Sequence, residues 1–317
     1  MELLERLKGG IIGVAVGDAL GVPYEFLSRG EMSERPAKDM TGYGSHNQPA
    51  GTWSDDSSLT FCLMEGLISG YNTQKIAEKF VAWHDESYWT PHGSVFDIGI
   101  TTKESIFNMK KGHVPEICGG LDEYSNGNGS LMRILPIAFF IRTVKDINER
   151  YKRVKEISSM THAHLRSVIA CFIYVEYTLE LLKGFDKIDA YETATKRILE
   201  FLKTMDLNSN ELALYDDILI RNIHAIDKTK ISGSGYVVNS LKASLWCFIN
   251  SKNYNEAVLE AVNLGEDTDT TAAITGGLAG LYYGLNSIPK EWRNTLVKYD
   301  KIEDLILRFH KSLKNEN

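Results

Sequence analysis

The chain has 317 residues, 43% of them hydrophobic, enough to bury a sizeable core in one large domain or two ordinary ones. Lys and Arg total 35 against 42 Asp and Glu, and the resulting charge of -7 excludes a broad basic face for general nucleic-acid binding. An anionic ligand must therefore be held locally, by backbone amides or a metal.

Cys62, Cys118, Cys171 and Cys247 are widely spaced and include no CxxC pair, so neither a disulfide framework nor a zinc site is expected. A reducing, cytoplasmic setting follows. Met1 to Lys8 is charged and amphipathic, without the apolar core of a signal peptide, and no apolar run reaches bilayer length, so no membrane association is expected. No repeat, low-complexity tract or linker divides the chain, and residues 1–317 read as a single domain. The composition leaves oligomeric state open.

Apolar residues recur at helical spacing: Leu59, Leu63 and Leu67; Ile76, Phe80 and Trp83; Leu179 and Leu182; Ile198, Phe201 and Leu202; Leu241, Leu245 and Phe248. Strand-like alternation is scarce, which predicts an all-α fold. Gly-rich stretches interrupt the pattern, and each reads as a helix-boundary loop offering backbone amides to oxygen ligands or phosphate.

The first such stretch, Gly9 to Phe26, contains Gly17-Asp18 near a helix end and Tyr24-Glu25 beyond Pro23. Asp18 reads equally as a helix-terminus hydrogen-bonding group or a site residue. Glu25 is pushed out of helix by the preceding proline, as a surface carboxylate or one aimed at a site. Ser54-Asp55-Asp56 comes just before the helical run from Leu59, where Asp56 or Ser57 can cap the helix. Gly93-Ser94-Val95-Phe96-Asp97-Ile98-Gly99 and Asn126-Gly127-Asn128-Gly129-Ser130 are short loops suited to phosphate, and neither is a P-loop or a dinucleotide fingerprint.

In Thr161-His162-Ala163-His164 the two histidines diverge on a helix, so they are poor joint ligands; a core or capping role competes with ligand contact. Tyr236 follows Ser-Gly-Ser-Gly and reads as a base-stacking ring or a core aromatic. Asp267-Thr268-Asp269-Thr270 converges only from a loop entering a helix. The following Gly276, Gly277 and Gly280 suit a buried close crossing that draws the acids inside. Four buried carboxylates repel one another unless a cation compensates, and oxygen donors without a His/Cys set favour two Mg²⁺ or Mn²⁺ ions over zinc.

Taken in order, GDALGVPYEF, GTWSDDSSLT, VFDIGITT, NGNGSLMRILPIA, THAH, SGYVVNSLKASLW and NLGEDTDTTAAITGGLAGLYYG resemble the ADP-ribosyl-glycohydrolase family from Gly10 to about Gly284. The resemblance implies a compact, orthogonal multi-helix fold with a central cleft for two Mg²⁺ or Mn²⁺ ions. Ser54, Asp55 and Asp56 would ligate from one side, and Asp267, Asp269 and Thr270 from the other, with Asp269 also serving catalysis. Glu25 matches a glutamate that assists catalysis beside the metals. Gly93, Ser94, Phe96 and Gly99, with Asn128, Gly129 and Ser130, match loops around the diphosphate and distal ribose. His162 matches a ligand-contacting histidine and Tyr236 the aromatic near adenine. Departures are Ser54 where Thr is common, an added Glu266, and Leu165 where Pro is frequent.

The reaction so implied is metal-dependent hydrolysis at the distal ribose C1'' of ADP-ribose attached to a protein side chain or a small conjugate. Glu25 or Asp97 would move the proton, and Asp97 would meet a cationic guanidinium leaving group. VFDIG resembles the arginine-specific branch, so ADP-ribosyl-arginine is the first expected substrate. Serine-linked ADP-ribose, O-acetyl-ADP-ribose, and a non-catalytic ADP-ribose-binding or crystallin-like role are the alternatives.

Overall fold

Short polar side chains set where many helices begin. Ser28 and Glu31 form a reciprocal capping box, and Asn72, Asp146, Asp186 and Asn253 accept hydrogen bonds from first-turn amides of the helices they precede. The computed structural model describes residues 1–314. Among these run sixteen α-helices: α1 Leu3–Gly21, α2 Arg29–Glu34, α3 Asp55–Leu67, α4 Thr73–Glu86, α5 Ile100–Lys110, α6 Leu135–Phe140, α7 Ile147–Ser159, α8 Leu165–Lys183, α9 Lys187–Leu202, α10 Ser209–Ala213, α11 Asp216–Leu219, α12 Val237–Asn250, α13 Tyr254–Val262, α14 Thr268–Tyr283, α15 Lys290–Thr295 and α16 Tyr299–Leu313. Strand-type pairing is limited, among the described residues, to isolated bridges such as Gly127 with Tyr236. The all-α expectation holds. None of these helices is long and apolar enough to cross a membrane.

Three helices form the centre. Gly9–Gly21 of α1, Ser167–Leu181 of α8 and Thr268–Leu281 of α14 are buried on all sides. A helix that is apolar or small all round has no solvent face to offer and must be enclosed by others. Helices such as α4 and α16 do the enclosing, each through one apolar stripe: Ile76, Phe80 and Trp83 in α4, and Ile302, Leu305, Ile306 and Phe309 in α16.

The α1–α14 crossing positions the site. Gly9, Gly13, Gly17 and Gly21 recur every four residues along one face of α1, opposite Gly280, Gly276, Ala272 and Asp269 of α14. A Cβ on Gly13 would lie 2.2 Å from the Gly276 carbonyl oxygen, and one on Gly17 would lie 2.1 Å from that of Ala272. The backbones therefore touch directly. The expectation that Gly9 to Phe26 forms a boundary loop is corrected here: Gly9 to Gly21 is helix interior, and close packing outweighs glycine's poor helix propensity. The same contact satisfies the expectation that the Gly-rich α14 is buried at a close crossing.

Candidate functional site

The N-termini of α3 and α14 meet at the end of this crossing. Gly21 packs directly against Asp269, where a Cβ would lie 2.2 Å from the Asp269 Cα. One turn earlier, fully buried Asp18 reaches from α1 to the start of α3. Its carboxylate accepts from Ser54 N (2.8 and 3.1 Å), Ser57 N (3.0 Å) and Ser57 Oγ (2.5 Å). Asp18 thus caps another helix rather than its own, and burial raises its pKa to about 6. It ties the start of α3, with its acidic pair, to α1, which packs directly on the helix that carries the other pair.

Asp55, Asp56 and Asp269 are buried around this junction, and Asp267 is half-buried. Asp56 Oδ2 accepts from Ser54 Oγ (3.2 Å) and Thr270 Oγ1 (3.3 Å), which links the two sides directly. Asp267 Oδ2 accepts from Asn128 Nδ2 at 2.8 Å, and that amide also reaches Ser240 Oγ at 2.9 Å. Gly235 leaves room for this oxygen, since a Cβ there would sit 2.7 Å from it. Four buried oxygens meet no hydrogen-bond donor among the described residues: Asp56 Oδ1, Asp267 Oδ1 and both of Asp269. Burial pushes Asp55, Asp56 and Asp269 well above the usual carboxylate range, and neighbouring acids push them further.

Unpartnered carboxylate oxygens at this depth are costly unless a cation meets them. The donor set is oxygen only, from Asp55, Asp56, Asp267 and Asp269 with the Ser54 and Thr270 hydroxyls. That chemistry fits a hard divalent ion such as Mg²⁺ or Mn²⁺. Oxygens of Glu25, Asp267 and Asp269 also lie within 4.8 Å of one another.

Above these acids opens a cleft of about 240 Å³, lined by Glu25, Asp55, Asp97, Gly99, Asn128, Gly129, His162, Asp267 and Thr270, with Thr101, Thr102 and Tyr124 at its sides. Asp97 holds φ 60°, a left-handed conformation rare for a non-glycine residue. Burial raises its pKa to about 7, with the Glu25 charge adding to the effect. Phe96 packs its ring on His46 at 5.3 Å, while Gly93 and Ser94 are exposed at the outer end of the same loop.

Gly129 admits the His162 ring, which a Cβ would meet at 2.8 Å. His162 Nδ1 pairs with Thr161 Oγ1 at 2.9 Å, and burial followed by the nearby Arg133 charge pushes its pKa down to about 3. His162 is therefore neutral. His164, its neighbour in the THAH segment, caps α8 by accepting from Arg166 N at 3.2 Å.

Ser130 and Tyr236, like Gly93, Ser94 and Phe96, do not line the cleft. The Ser130 hydroxyl turns into the core, 3.0 Å from Ser158 Oγ and 3.4 Å from Cys171 Sγ. Half-buried Tyr236 precedes α12, pairs its backbone with Gly127 and lies beside Arg166, off the cleft lining.

Three residues enter the picture only with the fold. Buried Arg133 braces the Asn126–Ser130 loop by donating to the carbonyls of Gly129 (2.6 Å) and Ile157 (3.0 Å). Tyr124 stands almost fully exposed at the rim of the cleft. His46 is hydrogen-bonded to Glu25, a partner 21 residues away that no spacing rule would single out.

Fold and site together define a class: an all-helical protein whose two helix starts present acidic clusters to a narrow cleft. The chain belongs to the ADP-ribosylglycohydrolase family, whose sequence model matches residues 1–317. It is 31% identical over 306 residues to the ADP-ribosylarginine hydrolase Tri1 of Serratia proteamaculans, covering 96% of this chain and 78% of that one. It is 26% identical to the ADP-ribosyl-[dinitrogen reductase] glycohydrolase of Rhodospirillum rubrum, over 92% of this chain and 90% of the relative. A solved structure described as an ADP-ribosylglycohydrolase-related protein complex superposes with a TM-score of 0.81 at 29% identity, covering 98% of both chains.

Proposed function

We propose that this chain removes ADP-ribose from modified protein side chains, ADP-ribosyl-arginine first, with two Mg²⁺ or Mn²⁺ ions. One observation carries the reading: four unpartnered carboxylate oxygens of Asp56, Asp267 and Asp269 cluster beneath a cleft lined by Asp55, Asp267, Glu25 and Asp97. Similarity to two bacterial proteins named ADP-ribosylarginine hydrolase, at 31% and 32% identity, supports arginine as the linkage.

Ser54, Asp55 and Asp56 from the start of α3, with Asp267, Asp269 and Thr270 from the start of α14, would hold the ions. Bound there, the ions supply electrostatic stabilisation and a fixed template for the distal ribose. The protein's own groups do the rest. Glu25, 6% exposed, is the acceptor for the proton of the attacking water. As the water oxygen bonds to C1'', the C1''–nitrogen bond breaks, and the water proton ends on the departing guanidine. Asp97, whose carboxylate lies within 4.8 Å of that of Glu25, meets that guanidinium. Neutral His162 offers a hydrogen bond rather than a charge, and Asn128, Gly129 and Gly99 supply polar atoms and close backbone approach to the diphosphate and ribose. Gly93, Ser94 and Phe96 form the outer part of that loop, while Ser130 and Tyr236 contribute through the segments that carry them.

The reading includes one domain over the whole chain, an ADP-ribosylated protein as partner, and a cytoplasmic location suited to four buried, unpaired cysteines. The test is a panel of arginine-, serine- and O-acetyl-linked ADP-ribose conjugates assayed with Mg²⁺, Mn²⁺ or chelator. Expected is free ADP-ribose from the arginine conjugate, abolished by chelator, with Asp55→Ala and Asp269→Ala each losing at least about 100-fold. AMP as product, or tight ADP-ribose binding without turnover of any conjugate, overturns it.

A further inference from the structure

Glu25 is gripped from one side by a short turn that precedes the first acidic cluster. The turn Gly44–His46 is flanked by Tyr43 (φ 68°) and Asn47 (φ 52°), both left-handed, and closed by backbone pairing of Tyr43 with Gln48. It is packed hard onto the chain before Glu25, since a Cβ on Gly44 would lie 1.9 Å from the Pro23 carbonyl oxygen. Ser45 Oγ donates to the Glu25 backbone carbonyl, and His46 Nε2 is hydrogen-bonded to Glu25 Oε2. Backbone and side chain of the same residue are thus both held by adjacent residues of one turn.

The imidazole is itself fixed. Its ring lies between those of Phe26 at 5.7 Å and Phe96 at 5.3 Å, tilted by 49° and 52°. Phe26 follows Glu25 directly and is left-handed at φ 69°, whereas Phe96 comes from the loop that carries Asp97. His46 Nε2 is 3.9 Å from Asp97 Oδ1, so the ring stands between the two carboxylates that could move the proton. It does not line the cleft.

We propose that His46 is the positioning residue for Glu25: it holds one carboxylate oxygen and so presents the other toward Asp267 and Asp269, where the attacking water must lie. The inference rests on the hydrolase reading above and deepens it by separating the two candidate carboxylates. Glu25, which His46 holds directly, is the oriented proton acceptor, and Asp97, 3.9 Å from the same ring nitrogen, is left to meet the leaving group. Deleting the ring frees Glu25 to swing about its side-chain torsions without removing any group that touches substrate. Misplacement of a reacting group by about 1 Å costs on the order of 100-fold in rate.

His46→Ala, His46→Gln, Glu25→Gln and the Glu25→Gln/His46→Ala pair are compared in single-turnover ADP-ribose release, on whichever conjugate the wild-type protein cleaves. His46→Ala should lower kcat about 10- to 100-fold with KM little changed. His46→Gln, whose amide can still donate, should recover most of that loss, and the double variant should be no slower than Glu25→Gln alone. Additive losses, or a His46→Ala enzyme with full kcat, overturn the proposal. A second readout needs no substrate: in ¹⁵N spectra of the ligand-free protein, Glu25→Gln should shift the His46 Nε2 resonance. An unchanged resonance shows that the pair does not form and overturns the proposal by itself. Wild-type inactivity on every conjugate, with that shift present, would instead count against the hydrolase reading alone.

Discussion

Both oxygens of Asp269 lie buried beside Glu25, Asp97, Asp56 and Asp267, with no donor to meet them among the described residues. In chelator this arrangement must cost stability, and the sign of its pH dependence follows. Burial holds Asp18 at about 6, Asp97 at about 7, and Asp55, Asp56 and Asp269 well above the carboxylate range. Each folded value exceeds the unfolded value of about 3.9, so the folded chain keeps protons that the unfolded chain releases. The stabilisation is full below the unfolded value and is lost as pH rises through the folded ones. Melts in chelator should therefore show Tm falling between about pH 5 and about pH 8, while paired surface acids such as Glu211, held low by Arg166, titrate beneath this window. Asp269→Asn should flatten part of that slope and raise the metal-free protein at the upper pH by about 1–3 kcal/mol. It should also forfeit the gain from added Mn²⁺. A Tm that climbs across the same range in chelator would contradict the description of the site.

Charge adjacency made these acids legible. Asp55-Asp56 and Asp267/Asp269 announce themselves by spacing and by the Gly-rich run after the second pair, whereas Ser130 and His46 depend on where the fold turns a side chain. Ser130 belongs to the same short loop as Asn128, yet its hydroxyl points to Ser158 and away from the cleft. Nothing local distinguishes the two directions.

Among the elements, the α1–α14 pair shows how one property can be read two ways. Glycine in a helix lowers its propensity, and a reading by propensity alone turns Gly9 to Gly21 into loop. Their spacing of four is the better signal, because it places all four on one face. The contrast between Gly13 and Gly10 tests this. A Cβ on Gly13 would sit 2.2 Å from backbone oxygen, so Gly13→Ala should destabilise by about 1–3 kcal/mol or more and weaken cation binding as α14 shifts. A Cβ on Gly10 first meets the Leu135 side chain at 3.4 Å, so Gly10→Ala should be neutral or gain up to about 1 kcal/mol. Denaturant midpoints decide it, and equal losses at both sites would reject the seam.

Across the whole molecule, stability draws on a second buried charge system far from the acids in sequence. Glu176 of α8 is fully buried and receives Arg150 of α7 through two nitrogens, at 2.5 and 2.9 Å, and Arg197 of α9 at 2.8 Å. Arg150→Ala removes two of the three bonds and leaves that carboxylate to Arg197 alone, which should cost up to about 3–5 kcal/mol in urea unfolding. Arg221→Ala, which breaks the more exposed Arg221–Asp217 pair, should cost no more than about 1 kcal/mol. The helical class was legible because apolar spacing runs through nearly every long helix, but pairings such as this one join helices that no local pattern relates.

The glycine seam also has a consequence in time. Thr268 Oγ1 donates to the Gly21 carbonyl across 247 residues of chain, so α1 must wait for α14 to be synthesised. At ribosomal speed the delay is on the order of 10–50 s. During that interval α1 has no partner for its backbone-lined face, and the acids at the start of α3 stand beside an unfinished cleft. The helix thus emerges well before the segment that covers it, and the two acidic clusters come together only once α14 has been made.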